Sequence, residues 1–95
     1  MKKYVIVLRD KKLGAFGDPV FKVEDVEHIV ELVSRSLKDI ESGQRAKAAD
    51  QALYYLGTYD DISGKFDLLD QPEKLLDYED FIPRLELADE SGKKI

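Results

Sequence analysis

Two stretches of this chain share one pattern: an apolar run, a break rich in Gly, Asp, Lys or Pro, and a second apolar run. The first is Arg9-Asp10-Lys11-Lys12-Leu13-Gly14-Ala15-Phe16-Gly17-Asp18-Pro19-Val20-Phe21. The second is Leu53-Tyr54-Tyr55-Leu56-Gly57-Thr58-Tyr59-Asp60-Asp61-Ile62-Ser63-Gly64-Lys65-Phe66. Short apolar runs around Gly/Asp breaks predict β-hairpins. Residues 3–9 read as a strand with Tyr4, Ile6 and Leu8 on one face and Val5 and Val7 on the other. Apolar side chains on both faces predict a central strand, or one with the core on one side and a partner on the other. Residues 10–18 form the connection, and residues 20–23 a short second strand started by Pro19.

Between the hairpins lies the clearest helix, over residues 25–41. Val26, Ile29, Val30, Val33, Leu37 and Ile40 recur at spacings of three and four and make one apolar stripe. Glu24, Asp25 and Glu27 crowd its start, where the helix dipole favours negative charge. Glu31 and Arg35 stand at i, i+4 on the wet face, and Ser42-Gly43 is the expected stop. Residues 44–51 are Ala-rich and polar and suit a short helix or an ordered loop. Residues 52–59 are the third strand, with Tyr55 and Tyr59 expected on one face and Tyr54 on the other. Residues 65–69 are the fourth. Pro72 is placed to open a short helix whose apolar side is Leu75, Leu76, Tyr78, Phe81 and Ile82, ended by Pro83. The expected fold is α+β: an antiparallel sheet of two β-hairpins, one long helix on one face and a short C-terminal helix. Residues 1–88 are expected to form one domain, followed by a polar tail over 89–95.

Composition narrows the function. The 95 residues contain no Cys, which removes disulfides, thiolate nucleophiles and Cys-ligated zinc. The apolar run after Met1-Lys2-Lys3 ends at Arg9, too soon for a signal peptide, and nothing approaches a membrane span of about 20 residues. A cytoplasmic protein is expected. Net charge is −5. Residues 1–50 carry ten basic and nine acidic residues, whereas residues 51–95 carry five and eleven. Overall acidity opposes a long-range basic field for DNA, while the basic first strand and loop leave a local phosphate contact open.

The chemistry-bearing patterns are few. Asp61, Ser63, Gly64, Asp67 and Asp70 can be laid on a calcium loop, but Tyr59 then falls on the first ligand position and Asp70 replaces the final Glu. A tight turn with Gly64 at positive φ is the expected structure. His28 is the single histidine, with Glu24 at i−4, and has no Cys, serine motif or second histidine to work with. No nucleophile, metal cluster or cofactor loop is recognisable, so a nonenzymatic protein without cofactor or metal is expected. The carboxylates of the C-terminal half form either a solvated face or a surface for a basic partner. Phe16, beside Lys11 and Lys12, can stack a base, or fold back on the core. The strand-three tyrosines can form an aromatic platform for bases or a dimer interface.

The block Asp10-Lys11-Lys12…Gly14-Ala15-Phe16-Gly17…Pro19-Val20-Phe21 resembles the start of the small nonstructural protein of gokushovirus-type microviruses, which are single-stranded DNA phages. The run Leu53-Tyr54-Tyr55-Leu56-Gly57-Thr58-Tyr59-Asp60 with Ser63-Gly64 is similar to the second block of that family, in the same order and spacing. Two departures stand out: Ala46-Lys47-Ala48-Ala49-Asp50-Gln51 replaces a His-Pro-Glu-Asp-type segment, and the chain after Leu69 does not align. The resemblance implies a nonstructural phage protein in the cytoplasm of the infected bacterium, binding single-stranded DNA or the replication and packaging machinery. The alternative is an acidic module that occupies a host replication or defence protein. For nucleic acid, the expected contacts are Arg9, Lys11, Lys12 and Phe16, with Arg45 and Lys47 second. A homo-oligomer is expected, and no membrane partner.

Overall fold

The computed structural model describes residues 1–82. Its elements are β1 (Lys2–Asp10), β2 (Ala15–Phe16), β3 (Val20–Lys22), α1 (Val26–Lys38), α2 (Ser42–Ala49), β4 (Gln51–Asp60) and β5 (Lys65–Asp77), followed by a 3-10 turn at Tyr78–Asp80. All strand pairs are antiparallel: β1 pairs with β4 on one side and with β2 and β3 on the other, and β5 pairs with β4. The fold is therefore α+β, with two helices and a five-stranded sheet. The expected tail and the domain end at residue 88 lie outside the described residues.

Both tight turns use the same device. Asp10 and Asp60 each end a strand, and Gly14 and Gly64 close the turn at φ +71° and +73°. The Gly14 amide donates to the Asp10 carbonyl at 2.8 Å, and the Gly64 amide to that of Asp60 at 2.7 Å. The Asp10 carboxylate accepts from the Lys12 and Leu13 amides, and that of Asp60 from Ile62. A short acidic side chain satisfies turn amides that no strand can pair, and glycine takes the left-handed position without steric cost. The turn replaces the calcium-loop alternative at Asp61–Asp70.

Three expectations about the elements themselves need correction. The long helix expected over 25–41 ends early, and a second helix follows it. α1 starts as expected, with the Asp25 carboxylate accepting from the His28 amide at 2.9 Å. It ends at Asp39 rather than at Ser42-Gly43, and those two residues open α2. The segment left open as helix or loop is thus helical to Ala49. Second, no helix starts at Pro72: β5 runs through it to Asp77, and among the described residues a 3-10 turn follows. Pro72 is tolerated because Leu69 to Pro72 stand out of register, between the pairs Gly57–Leu68 and Tyr55–Glu73, on an edge strand. Third, the return strand of the first hairpin is split into β2 and β3 at Gly17-Asp18-Pro19.

The helices cover one face of the sheet. Ile6, Leu53 and Leu76 meet Ile29 and Leu37 of α1 and Ile82, with Val30, Val33, Ile40, Ala48 and Ala49 half-buried around them. The predicted stripe of α1 thus faces the core. Ile29 and Leu37 seal its ends, and a cleft of about 430 Å3 remains beside Val33, above Ile6, Leu8 and Leu53. Val5 and Val7 are equally buried but point to the other face.

A bulge in β4 sets which side chains reach which face. Opposite β1, Val5 pairs with Gly57 and Ile6 with Tyr55, so Leu56 is the extra residue. Gly57 has φ +141°, and a Cβ there would lie 2.3 Å from the Asp67 carbonyl oxygen and 2.7 Å from the Leu68 Cα. No side chain fits that approach without moving β5. The bulge reverses the expected assignment of the tyrosines: Tyr54 and Tyr59 share the helix-free face, and Tyr55 lies on the helix side, near Tyr4.

Gly57→Ala is expected to cost about 3 kcal/mol, through backbone strain and overpacking together. Gly43→Ala, where a Cβ meets nothing within 4 Å, is expected to stabilise α2 by about 0.5 kcal/mol. Urea midpoints of the two variants against the parent chain check both.

Candidate nucleic-acid interface

The face of the sheet opposite the helices is covered by no other element among the described residues. Strand alternation assigns it the odd-numbered side chains of β1, namely Lys3, Val5, Val7 and Arg9, and their cross-strand partners. Phe16 stands opposite Arg9, Tyr54 opposite Val7, Phe21 opposite Val5, Tyr59 opposite Lys3, and Phe66 opposite Tyr59. Five aromatic rings therefore stand on one face.

They form two groups. Phe16 meets Tyr54 edge-on at 5.2 Å between centroids. Tyr59 lies 5.3 Å from Phe21 and 4.8 Å from Phe66, with Phe21 and Phe66 6.1 Å apart. Edge-on and tilted pairs of this kind contribute about 0.5–1.5 kcal/mol each beyond area burial. They cover Val5 and Val7, which are 2% and 3% exposed. The phenylalanines themselves stay open: Phe16 is 42% exposed, Phe21 45% and Phe66 53%. Large apolar rings left in water side by side mark a contact surface more strongly than isolated exposed residues do.

Charge on this face is mostly tied up. The Arg9 guanidinium carbon lies 5.0 Å from the centroid of the Phe16 ring, a cation–π contact, and Arg9 makes no ion pair among the described residues. Lys3 lies 3.7 Å from Asp61, which also receives the Met1 amine at 2.5 Å. Lys74 is 3.8 Å from Asp77. Lys11 donates to Asp77 at 2.5 Å and to Glu79 at 3.0 Å, while its amide donates to the Asp50 carbonyl. These bonds tie the first turn to the end of β5. Burial pushes the Asp77 carboxyl up, but the hydrogen bond and charge of Lys11 outweigh it and hold the group below the usual carboxylate range. The hydrogen bond that Lys11 donates to Asp77 raises the Lys11 ammonium in turn.

Of the residues expected to contact nucleic acid, the structure brings Arg9 and Phe16 together. Lys12 is exposed on the same turn, and Lys11 is engaged by carboxylates. Arg45 and Lys47 lie on α2, on the helix side, where the Arg45 side chain donates to the Ile40 carbonyl at 3.3 Å. Sequence reasoning missed Phe21, Phe66 and Lys74 on the open face. Each turn pairs the residues flanking it, Asp10 with Ala15 and Asp60 with Lys65. Counting one pair back from each turn finds Arg9–Phe16 and Tyr59–Phe66.

The two α1 hydroxyls are committed to structure: Ser34 donates to the Glu31 carbonyl and Ser36 to that of Val33. His28 is exposed, 3.9 Å from Glu31. Among the described residues, no group of three His, Asp or Glu is placed to hold a metal ion, and no helix is long and apolar enough to cross a membrane.

A family model described as phage ORF5 protein matches residues 3–81. The chain belongs to the phage ORF5 protein family. The matched stretch contains both turns, the bulge and all five open-face aromatic residues. No match was found among curated proteins or solved structures.

The Lys11–Asp77 tie makes a pH prediction. Asp77 is depressed in the folded chain, so its contribution is full above its unfolded value near ~3.9 and is lost as pH falls through the lower folded value. Lys11 is raised, so its contribution is full below ~10.4 and is lost as pH rises through the folded value. Lys11→Met should lower stability by about 1 kcal/mol or less, because water screens the pair. That deficit should be constant from about pH 5 to 9 and shrink below pH ~4 and above pH ~10.5. Urea titrations of both chains across this range measure it.

Proposed function

We propose that this phage ORF5 protein is a nonenzymatic, nonstructural accessory protein of a microvirus-type single-stranded DNA phage, and that it binds single-stranded DNA on the open face of its sheet. The observation that carries the reading is the set of exposed aromatic rings with Arg9 against Phe16. Aromatic rings stack unpaired bases with little sequence preference, and an adjacent guanidinium adds a phosphate contact. Duplex DNA hides its base faces, so the surface suits single strands. The infected host's cytoplasm, where such a genome is copied and packaged, is the proposed setting.

The tied lysines shape the expected behaviour. With Lys3, Lys11 and Lys74 held by carboxylates, Arg9 and Lys12 are left to meet phosphates. Binding should therefore lean on stacking and depend weakly on salt, with a log–log slope of about −1 to −2. Fluorescence anisotropy with a labelled oligothymidine across a salt series tests this. Phe16→Ala should weaken binding about 5- to 100-fold, the range for losing one stacked base. Lys12→Glu should flatten the salt slope. Absence of binding at low salt overturns the reading.

A second reading rests on the acidic second hairpin. Asp61, Asp67, Asp70, Glu73, Glu79 and Asp80 gather on β5 and its two ends. That surface fits an acidic module bound to a basic host or phage protein, or a second copy of this chain covering the aromatic face. A stable dimer by light scattering, combined with no affinity for oligothymidine, favours it.

A further inference from the structure

We infer that the open face holds two separate base-stacking sites, Phe16–Tyr54 and Phe21–Tyr59–Phe66, and that a stacked single strand must be about five nucleotides long to occupy both. The inference rests on the single-strand reading and adds a site count and a length to it. The two groups are distinct: rings within each lie 4.8–6.1 Å apart, and no ring contact joins one group to the other among the described residues. Their positions along β1 give the separation. The first group stands beside Val7 and Arg9, the second beside Lys3 and Val5. Their centres are four strand residues apart, or about 14 Å at ~3.4 Å per residue. Stacked nucleotides repeat at the same ~3.4 Å along one strand, so about four base steps separate the sites. A base at each end with the three between them makes about five nucleotides.

The sites are unequal. Arg9 stands at the first and has no carboxylate partner among the described residues. Lys3 stands at the second and lies 3.7 Å from Asp61. The first site is therefore the anchor. The second adds affinity only to strands long enough to reach it, as an intramolecular second contact.

The test is anisotropy at low salt with labelled oligothymidines of three, six and twelve nucleotides. The parent chain and the Phe16→Ala, Phe66→Ala and Phe66→Leu variants are compared. Phe66→Leu keeps apolar packing on β5 while removing the ring. For the parent chain, Kd should fall at least tenfold from three to six nucleotides and no more than about threefold from six to twelve. Both Phe66 variants should remove the gain at six nucleotides and weaken the three-nucleotide strand far less. Phe16→Ala should weaken every length. A smooth rise in affinity with length overturns the two-site inference alone, as does equal weakening of the three- and six-nucleotide strands by Phe66→Leu. No binding at any length overturns both the inference and the function proposed above.

Discussion

The close approach of β4 and β5 at Gly57 is the constraint on which the surface depends. β1 and β4 are the central strands, and their pairing shifts by one residue at Leu56. A one-residue shift moves every later side chain to the opposite face. Here it carries Tyr59 to the face that already holds Tyr54, while Tyr55 stays with the helices. The cost is a backbone position at φ +141° that lies too near the Asp67 carbonyl for any side chain. Glycine meets that cost, and the outcome is an aromatic face on a sheet too small to cover both its sides.

The charges follow a complementary logic. The chain is acidic overall, with the excess in its second half, yet its first strand and turn are basic. The fold brings the two halves together, so most basic side chains near the open face meet carboxylates of β5 or its flanking turns. Lys11 bridges to Asp77 and Glu79, Lys3 to Asp61, and Lys74 to Asp77. These contacts align the ends of the two hairpins and consume the cations that the sequence offers to phosphate. Arg9 stands apart because its partner is a ring.

Much of the fold was legible because it rests on local patterns. The turn closed by Gly64, the apolar stripe of α1, the acidic start of α1 and the central place of β1 follow from spacing and residue type. The failures occurred where tertiary packing overrode a local signal. Pro72 after Gln71 reads as a helix start, but Leu76 pairs with Leu53 in the core and holds the segment extended. Ser42-Gly43 reads as a stop, but the chain turns earlier, at Asp39, and uses the pair to begin a second helix. The face of Tyr59 was illegible by alternation, since alternation assumes an unbroken strand. Gly57 was the visible clue, because a glycine inside an apolar strand marks a bulge or a close backbone approach. Lys11 was legible as basic but not as occupied, since its partners lie 66 and 68 residues away.

Proton NMR contacts between aromatic rings test the central claim most directly. The bulged register predicts cross-peaks from Tyr59 to Phe21 and Phe66, from Tyr54 to Phe16, and from Tyr55 to Tyr4. Cross-peaks linking the Tyr55 ring to the Phe21 and Phe66 rings, with Tyr54 contacting α1 side chains, would mean an unbulged strand. That result would contradict the shared aromatic face and the function built on it.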